Sequence, residues 1–254
     1  MKIDKSHIWI WGGPTPLWGG TVEKDCLVKG ADYFSAENVV YVYGSNNNEM
    51  LDLLKKFKKV ICQITHINRS TPGISPDDDI ADAENLSKLS LKYKNIIGGI
   101  IDDFSEKIFS PMKLKAINEA LKKHNPHLKL YTVVYTDNEG FIINNSIKKY
   151  LKYIDAINLW VWHKSSLEQI DLDLERFKKI FNNKPILLGI FMHDYGDSDK
   201  AMPVDLLRWQ FNRAKRYIQS GKIEGSVILG DREINKHPVQ AEWIKKYLLK
   251  EFIK

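Results

Sequence analysis

Eight short runs rich in β-branched and aromatic residues, at 7–11, 38–43, 60–65, 97–101, 129–135, 156–162, 185–192 and 226–229, punctuate the chain, and amphipathic stretches lie between them. This alternation limits the possible folds more than any other feature. The runs are mostly apolar throughout rather than at every second position, as a strand needs when helices cover both faces of its sheet. The covering faces are legible: Leu114, Ile117 and Leu121 share one side of a helix, as do Leu207, Phe211, Ala214 and Ile218, and Ile244 with Leu248. Ser110-Pro111, Met202-Pro203 and His237-Pro238 place proline where a first helical turn tolerates it. Strand–helix alternation repeated eight times in 254 residues matches an α/β fold, a single (β/α)8 TIM barrel occupying residues 1–254 as one domain. A doubly wound open sheet is the alternative. Against it, no Gly-x-Gly-x-x-Gly or Walker-type loop follows any run, and Gly12-Gly13 leads into Pro14 rather than a helix. Between residues 12 and 37 only a poor helix is expected.

Composition removes several classes of function. No apolar run approaches the ~18 residues a membrane helix requires, and the first residues are polar. The chain therefore reads as soluble, with no membrane partner, cytoplasmic as written and secreted if a leader precedes it. Cys26 and Cys62 are too few for a disulfide framework or a thiolate zinc cluster. The net charge of +6 comes largely from scattered lysine pairs such as Lys55-Lys56, Lys122-Lys123 and Lys148-Lys149. Dispersed lysine makes a solvated face rather than a stripe, so no nucleic-acid partner is expected.

Barrel enzymes assemble their sites at the C-terminal ends of the strands, so the residues closing each run become the candidates. Two carboxylates, Asp102 and Asp103, close the fourth run, Ile100-Ile101-Asp102-Asp103-Phe104. Paired acids ending an apolar strand are costly unless solvated, paired or used, and two that approach each other share a proton, offering an acid and a base together. Strand alternation would turn them to opposite faces unless the strand breaks between them. Their other reading is a loop-capping aspartate followed by a solvated one. Trp160 and Trp162 share one face of the sixth strand and offer apolar plates suited to a sugar ring, or core filling. Trp18 lies in a loop before Gly19-Gly20, where an indole can touch a ligand or fold back as a lid.

Tyr43, Asn46, Gln63, His66, Tyr135, His163, His193 and Asp231 complete the candidate binding set, with Asp194 the third candidate catalytic acid. Asn46 to Asn48 also suit turns and helix caps, and Asp231-Arg232 reads as a substrate clamp or as a salt bridge closing the barrel seam. His66, His163 and His193, with Asp102 or Asp231, could supply zinc ligands. No His-x-His or His-Glu-x-x-His spacing accompanies them, so no metal and no other cofactor is assigned. Long polar loops at residues 67–79 and 196–201 read as lids or as disordered tips.

The combination of acids closing the fourth strand, tryptophans closing a late one, and amides and hydroxyls around the mouth resembles TIM-barrel glycoside hydrolases. Asp102-Asp103 is similar to the tandem aspartates of the O-GlcNAcase family. That resemblance implies substrate-assisted hydrolysis of a carbohydrate. Asp102 would orient and polarise a 2-acetamido group, and Asp103 would serve as general acid and then general base. A two-carboxylate alternative pairs one of them with Asp194 or Asp231, at ~5 Å for retention or ~6.5–9.5 Å for inversion. Two other classes stay open: a metal-dependent hydrolase or sugar isomerase using His66, His163 and His193, and a non-catalytic carbohydrate-binding barrel. The sugar, its linkage and the oligomeric state are not legible.

Overall fold

The computed structural model describes residues 3–16, 20–64, 79–137, 143 and 145–252. Eight parallel strands close into a barrel, and we number them β1 (Ile8–Gly12), β2 (Asn38–Tyr41), β3 (Lys59–Gln63), β4 (Ile96–Ile101), β5 (Lys129–Tyr135), β6 (Ala156–Trp160), β7 (Ile186–Phe191) and β8 (Gly225–Leu229). Each pairs with its sequence neighbour, and β1 closes the cylinder on β8 with Ile8 opposite Ser226 and Trp11 opposite Leu229. The apolar runs are buried along almost their whole length, as the absence of period-two alternation required.

The helices are α1 (Cys26–Tyr33), α2 (Asn48–Leu53), α3 (Asp79–Leu89), α4 (Pro111–Lys122), α5 (Ile170–Ile180), α6 (Val204–Gln219), α7 (Glu233–Lys236) and α8 (Pro238–Glu251). Their starts follow the local chemistry. Ser110 caps α4 through the Lys113 amide with Pro111 in its first turn, Asn47 caps α2 through the Met50 amide, and Pro238 opens α8. The first connection forms a helix of 8 residues despite its weak pattern, because Cys26, Leu27, Gly30 and Ala31 bury one side of it. Between β5 and β6 the described segments are two 3-10 turns, Asn145–Lys149 and Leu151–Tyr153, rather than an α-helix. Among the described residues no helix is long and apolar enough to cross a membrane.

Two glycines allow close approaches that shape the upper barrel. A Cβ on Gly189 would lie 1.9 Å from the Trp160 ring, so glycine at this point of β7 is what lets the indole lie against the strand. A Cβ on Gly12 would sit 2.1 Å from the Asp231 carboxyl carbon, so the bare end of β1 leaves room for that acid. Beyond β7 the chain forms a short hairpin, His193–Asp194 antiparallel to Lys200–Ala201. A cavity of about 840 Å³ lies at the opposite end of the cylinder, lined in part by His7, Trp9, Lys59, Lys129, Tyr131 and Glu224. Barrel chemistry belongs to the other end.

Candidate active site

β4 ends in Asp102, 8% exposed, and Asp103, whose backbone enters the left-handed region at φ 48°. This break in the extended chain releases Asp103 from the strict alternation of the strand. The Asp103 amide donates to Asp102 Oδ1 at 3.0 Å, and the Tyr135 hydroxyl, closing β5, donates to Asp103 Oδ1 at 2.6 Å. Burial first, and then the charges of Asp103 and Asp102, raise the Tyr135 phenol. Asp102 is itself pushed well above the usual carboxylate range by burial and then by the neighbouring Asp103 charge, with the Asp103 amide acting against this. Two neighbouring acids whose charges oppose each other can hold one proton between them.

Around this pair stand side chains from five other strand ends. Tyr43, just past β2, is also left-handed (φ 68°), and its amide donates to Gln63 Oε1 at 2.8 Å. Asn46 Nδ2 donates to the Gln63 carbonyl at 2.7 Å, so Asn46 and Gln63 hold the turn that carries Tyr43. Trp11 Nε1 donates to the Tyr43 hydroxyl at 3.2 Å, and burial and the Asp102 charge raise that phenol. Opposite lies an aromatic wall. Trp162 meets Tyr135 edge-on at 5.5 Å and stacks on Tyr195 at 5.7 Å and 22°, while Phe191 packs against both Trp162 and Tyr195. Asp137 orients this wall by accepting from the Trp162 amide at 2.8 Å and the His163 amide at 3.2 Å.

Trp160 is 2% exposed and lies 4.4 Å from Phe191 and 5.9 Å from Trp11, which makes it the apolar floor beneath the wall rather than a surface for a ligand. Asp194 is fully buried outside the acidic pair. Its carboxylate accepts from Lys164 Nζ at 2.6 Å, from Ser198, and from the Asp197 amide at 3.2 Å. Burial opposes its charge, but these bonds win and hold the acid below the usual range. It therefore anchors the hairpin and is poorly suited to proton transfer. Asp231 accepts from the Gly13 amide at 2.7 Å, from Cys26 Sγ at 3.2 Å and from the Arg232 amide at 2.6 Å, tying β1, α1 and β8 together. Of its two sequence readings, closure of the seam fits better. Burial raises its carboxyl.

The two described histidines of the suggested trio, His163 and His193, have separate partners. His66 lies outside the described residues, as does Trp18. His163 Nδ1 is 3.0 Å from Asp197 Oδ1, whereas His193 is fully buried against His237, with His193 Nδ1 2.9 Å from His237 Nε2. Among the described residues, the group of His, Cys, Asp and Glu placed to share an ion is His193, Glu233 and His237. Sequence reasoning missed Glu233, which accepts from Tyr195 OH at 2.7 Å and from Arg232 Nε at 3.0 Å. The available signal was its place as the third charged residue after β8, four positions before His237.

Among solved structures the chain resembles glycoside hydrolase-fold barrels. It matches a glucosidase from Croceicoccus marinus at 12% identity and TM-score 0.55, covering 89% of this chain and 60% of that one. A xylanase and alpha-amylase inhibitor protein from Scadoxus multiflorus matches at 13% identity and TM-score 0.58, covering 99% of both chains. Active domain 2 of a thermostable chitinase from Pyrococcus furiosus, complexed with chito-oligosaccharides, matches at 14% identity and TM-score 0.56, covering 88% of this chain and 83% of that one. At these identities the likeness establishes the fold. No protein-family model and no curated protein matches the sequence.

Proposed function

We propose that the protein hydrolyses a glycosidic bond of a 2-acetamido sugar, with Asp102 and Asp103 as the catalytic pair. The observation that carries the reading is the tandem acid at the end of β4, bridged by the Asp103 amide and contacted by the Tyr135 hydroxyl at 2.6 Å. The resemblance of Asp102-Asp103 to the O-GlcNAcase pair supports it, as does the barrel likeness to a chitinase complexed with chito-oligosaccharides. With substrate bound, the one proton the pair shares rests on Asp103, and Asp102 as the carboxylate accepts the acetamido N–H and polarises that group. Its carbonyl oxygen attacks the anomeric carbon as the glycosidic C–O bond breaks, and Asp103 delivers its proton to the departing oxygen. Asp103, now a carboxylate, then takes a proton from the water that opens the cyclic intermediate, which returns the sugar as a hemiacetal and the enzyme to its starting state. Trp162 and Tyr43 shape the sugar site, with Tyr135 holding Asp103 in place.

The test is hydrolysis of aryl 2-acetamido-2-deoxyglycosides and of chito-oligosaccharides by the wild type and by Asp103→Asn. The variant is expected to lose at least about 100-fold in turnover on poor leaving groups while still binding the sugar. Unchanged turnover removes the mechanism. The likeness to an inhibitor protein over 99% of both chains favours a second reading, a barrel that binds carbohydrate without cleaving it. Glycan binding with no hydrolysis by the wild type would select that reading.

A further inference from the structure

Behind the aromatic wall, the hairpin after β7 and the short helix α7 after β8 bring together three metal-ligating side chains that the proposed hydrolysis does not use. His193 and Glu233 are fully buried and His237 is 8% exposed. Their ligand atoms all lie within 4.8 Å of one another. His193 Nδ1 is 2.9 Å from His237 Nε2, which is 3.5 Å from Glu233 Oε2.

Proton counting shows what this arrangement lacks. His193 Nε2 faces Asp199 Oδ1 at 2.7 Å, and a carboxylate has no proton to give, so Nε2 carries the N–H and Nδ1 presents a lone pair. Lys236 Nζ, 3.4 Å from the same Nε2, can only donate and would compete for that nitrogen, but the carboxylate contact, at 2.7 Å, is shorter and sets the tautomer. Only one proton, on His237 Nε2, then remains for two acceptors, His193 Nδ1 and Glu233 Oε2. Accordingly, Glu233 Oε2 is a buried oxygen with no hydrogen-bond partner among the described residues, although Oε1 of the same carboxylate accepts from Tyr195 and Arg232. A buried carboxylate oxygen without a donor is among the costliest polar groups a fold can carry.

We propose that His193 Nδ1, His237 Nε2 and Glu233 Oε2 bind one zinc ion or a similar borderline divalent cation. A cation among the three atoms takes up all three lone pairs at once. The two separations of 2.9 and 3.5 Å bracket the ~3.3 Å edge of a tetrahedron with bonds of ~2.0–2.1 Å. Two imidazole nitrogens and one carboxylate oxygen select a borderline metal over calcium or magnesium, which prefer all-oxygen shells. Asp199 is the outer carboxylate that sets the tautomer of a metal-bound imidazole. Since Glu233 also holds Tyr195 and Arg232, the ion would pin the β7 and β8 sides of the mouth to each other.

The test titrates Zn²⁺ into chelator-treated, folded wild-type protein by calorimetry, with thermal unfolding followed in parallel. One equivalent of Zn²⁺ should bind and raise Tm, and Co²⁺ in its place should show the intense visible absorption of a four-coordinate site. His193→Gln and His237→Gln should abolish binding. Asp199→Asn, at a side chain that is 89% exposed, should fold and should weaken binding by about 10–100-fold. The wild-type and Asp199→Asn titrations decide the matter even where a histidine variant fails to fold. Failure of the folded wild type to bind Zn²⁺, or unchanged affinity in Asp199→Asn and in any folded histidine variant, overturns the assignment.

Discussion

Asp102→Asn tests the physical state of the acidic pair separately from any assay of turnover. The Asp102 carboxyl is raised well above its usual 3.8 by burial and by the Asp103 charge. A folded-state value above the unfolded one means that folding takes up a proton between the two. Asp102 therefore costs nothing below about pH 4, and its penalty grows as pH rises through the folded value. For every tenfold by which burial weakens this acid, its ionised form costs about 1.4 kcal/mol. In a chain of 254 residues that converts to roughly 3–6 °C in Tm. Asparagine keeps an oxygen for the Asp103 amide, a bond of 3.0 Å, while removing the charge. The variant should thus unfold several degrees above the wild type at about pH 8, and the gain should shrink toward zero at about pH 4. Paired thermal unfolding by circular dichroism at the two pH values measures this. A variant no more stable than the wild type at the higher pH, or a gain that does not depend on pH, would refute the account of Asp102 as a buried acid held against its preference. A gain in stability with loss of activity is what a site that stores electrostatic strain for function should show.

Gly189→Ala forces a methyl to within 1.9 Å of the Trp160 ring, and such overpacking should cost about 1–3 kcal/mol, lowering Tm by roughly 2–12 °C in a melting curve. Lys164→Ala leaves the fully buried Asp194 carboxylate without its cation. Because the lysine side chain is 30% exposed, the loss should fall near the low end for a buried pair, about 3 kcal/mol in urea unfolding. Trp162→Ala removes the centre of the aromatic wall and should weaken sugar binding by about tenfold or more, ~1.4 kcal/mol by calorimetry; unaltered affinity would place the sugar elsewhere.

Much of this architecture was legible because it depends on local chemistry. Continuous apolar runs identify strands covered on both faces, and Ser110-Pro111 and His237-Pro238 mark helix starts through the orphan amides of a first turn. The chemical types at the strand ends, including the tandem Asp102-Asp103, could be read in the same way. Their orientation could not. The side chains meet across strands separated by tens of residues, and beside the left-handed turn at Asp103 its carboxylate accepts from the Tyr135 hydroxyl of the next strand. Identical aspartates received different environments. Asp194 is bound by Lys164 and Ser198, Asp231 ties the seam, and Asp102 is left buried beside a like charge. Periodicity and capping act over one or two turns of chain, so sequence determines the elements and their order. Burial and charge pairing arise only when distant segments close into the cylinder, and it was that closure that sorted anchors from candidate acids and brought His193, Glu233 and His237 together.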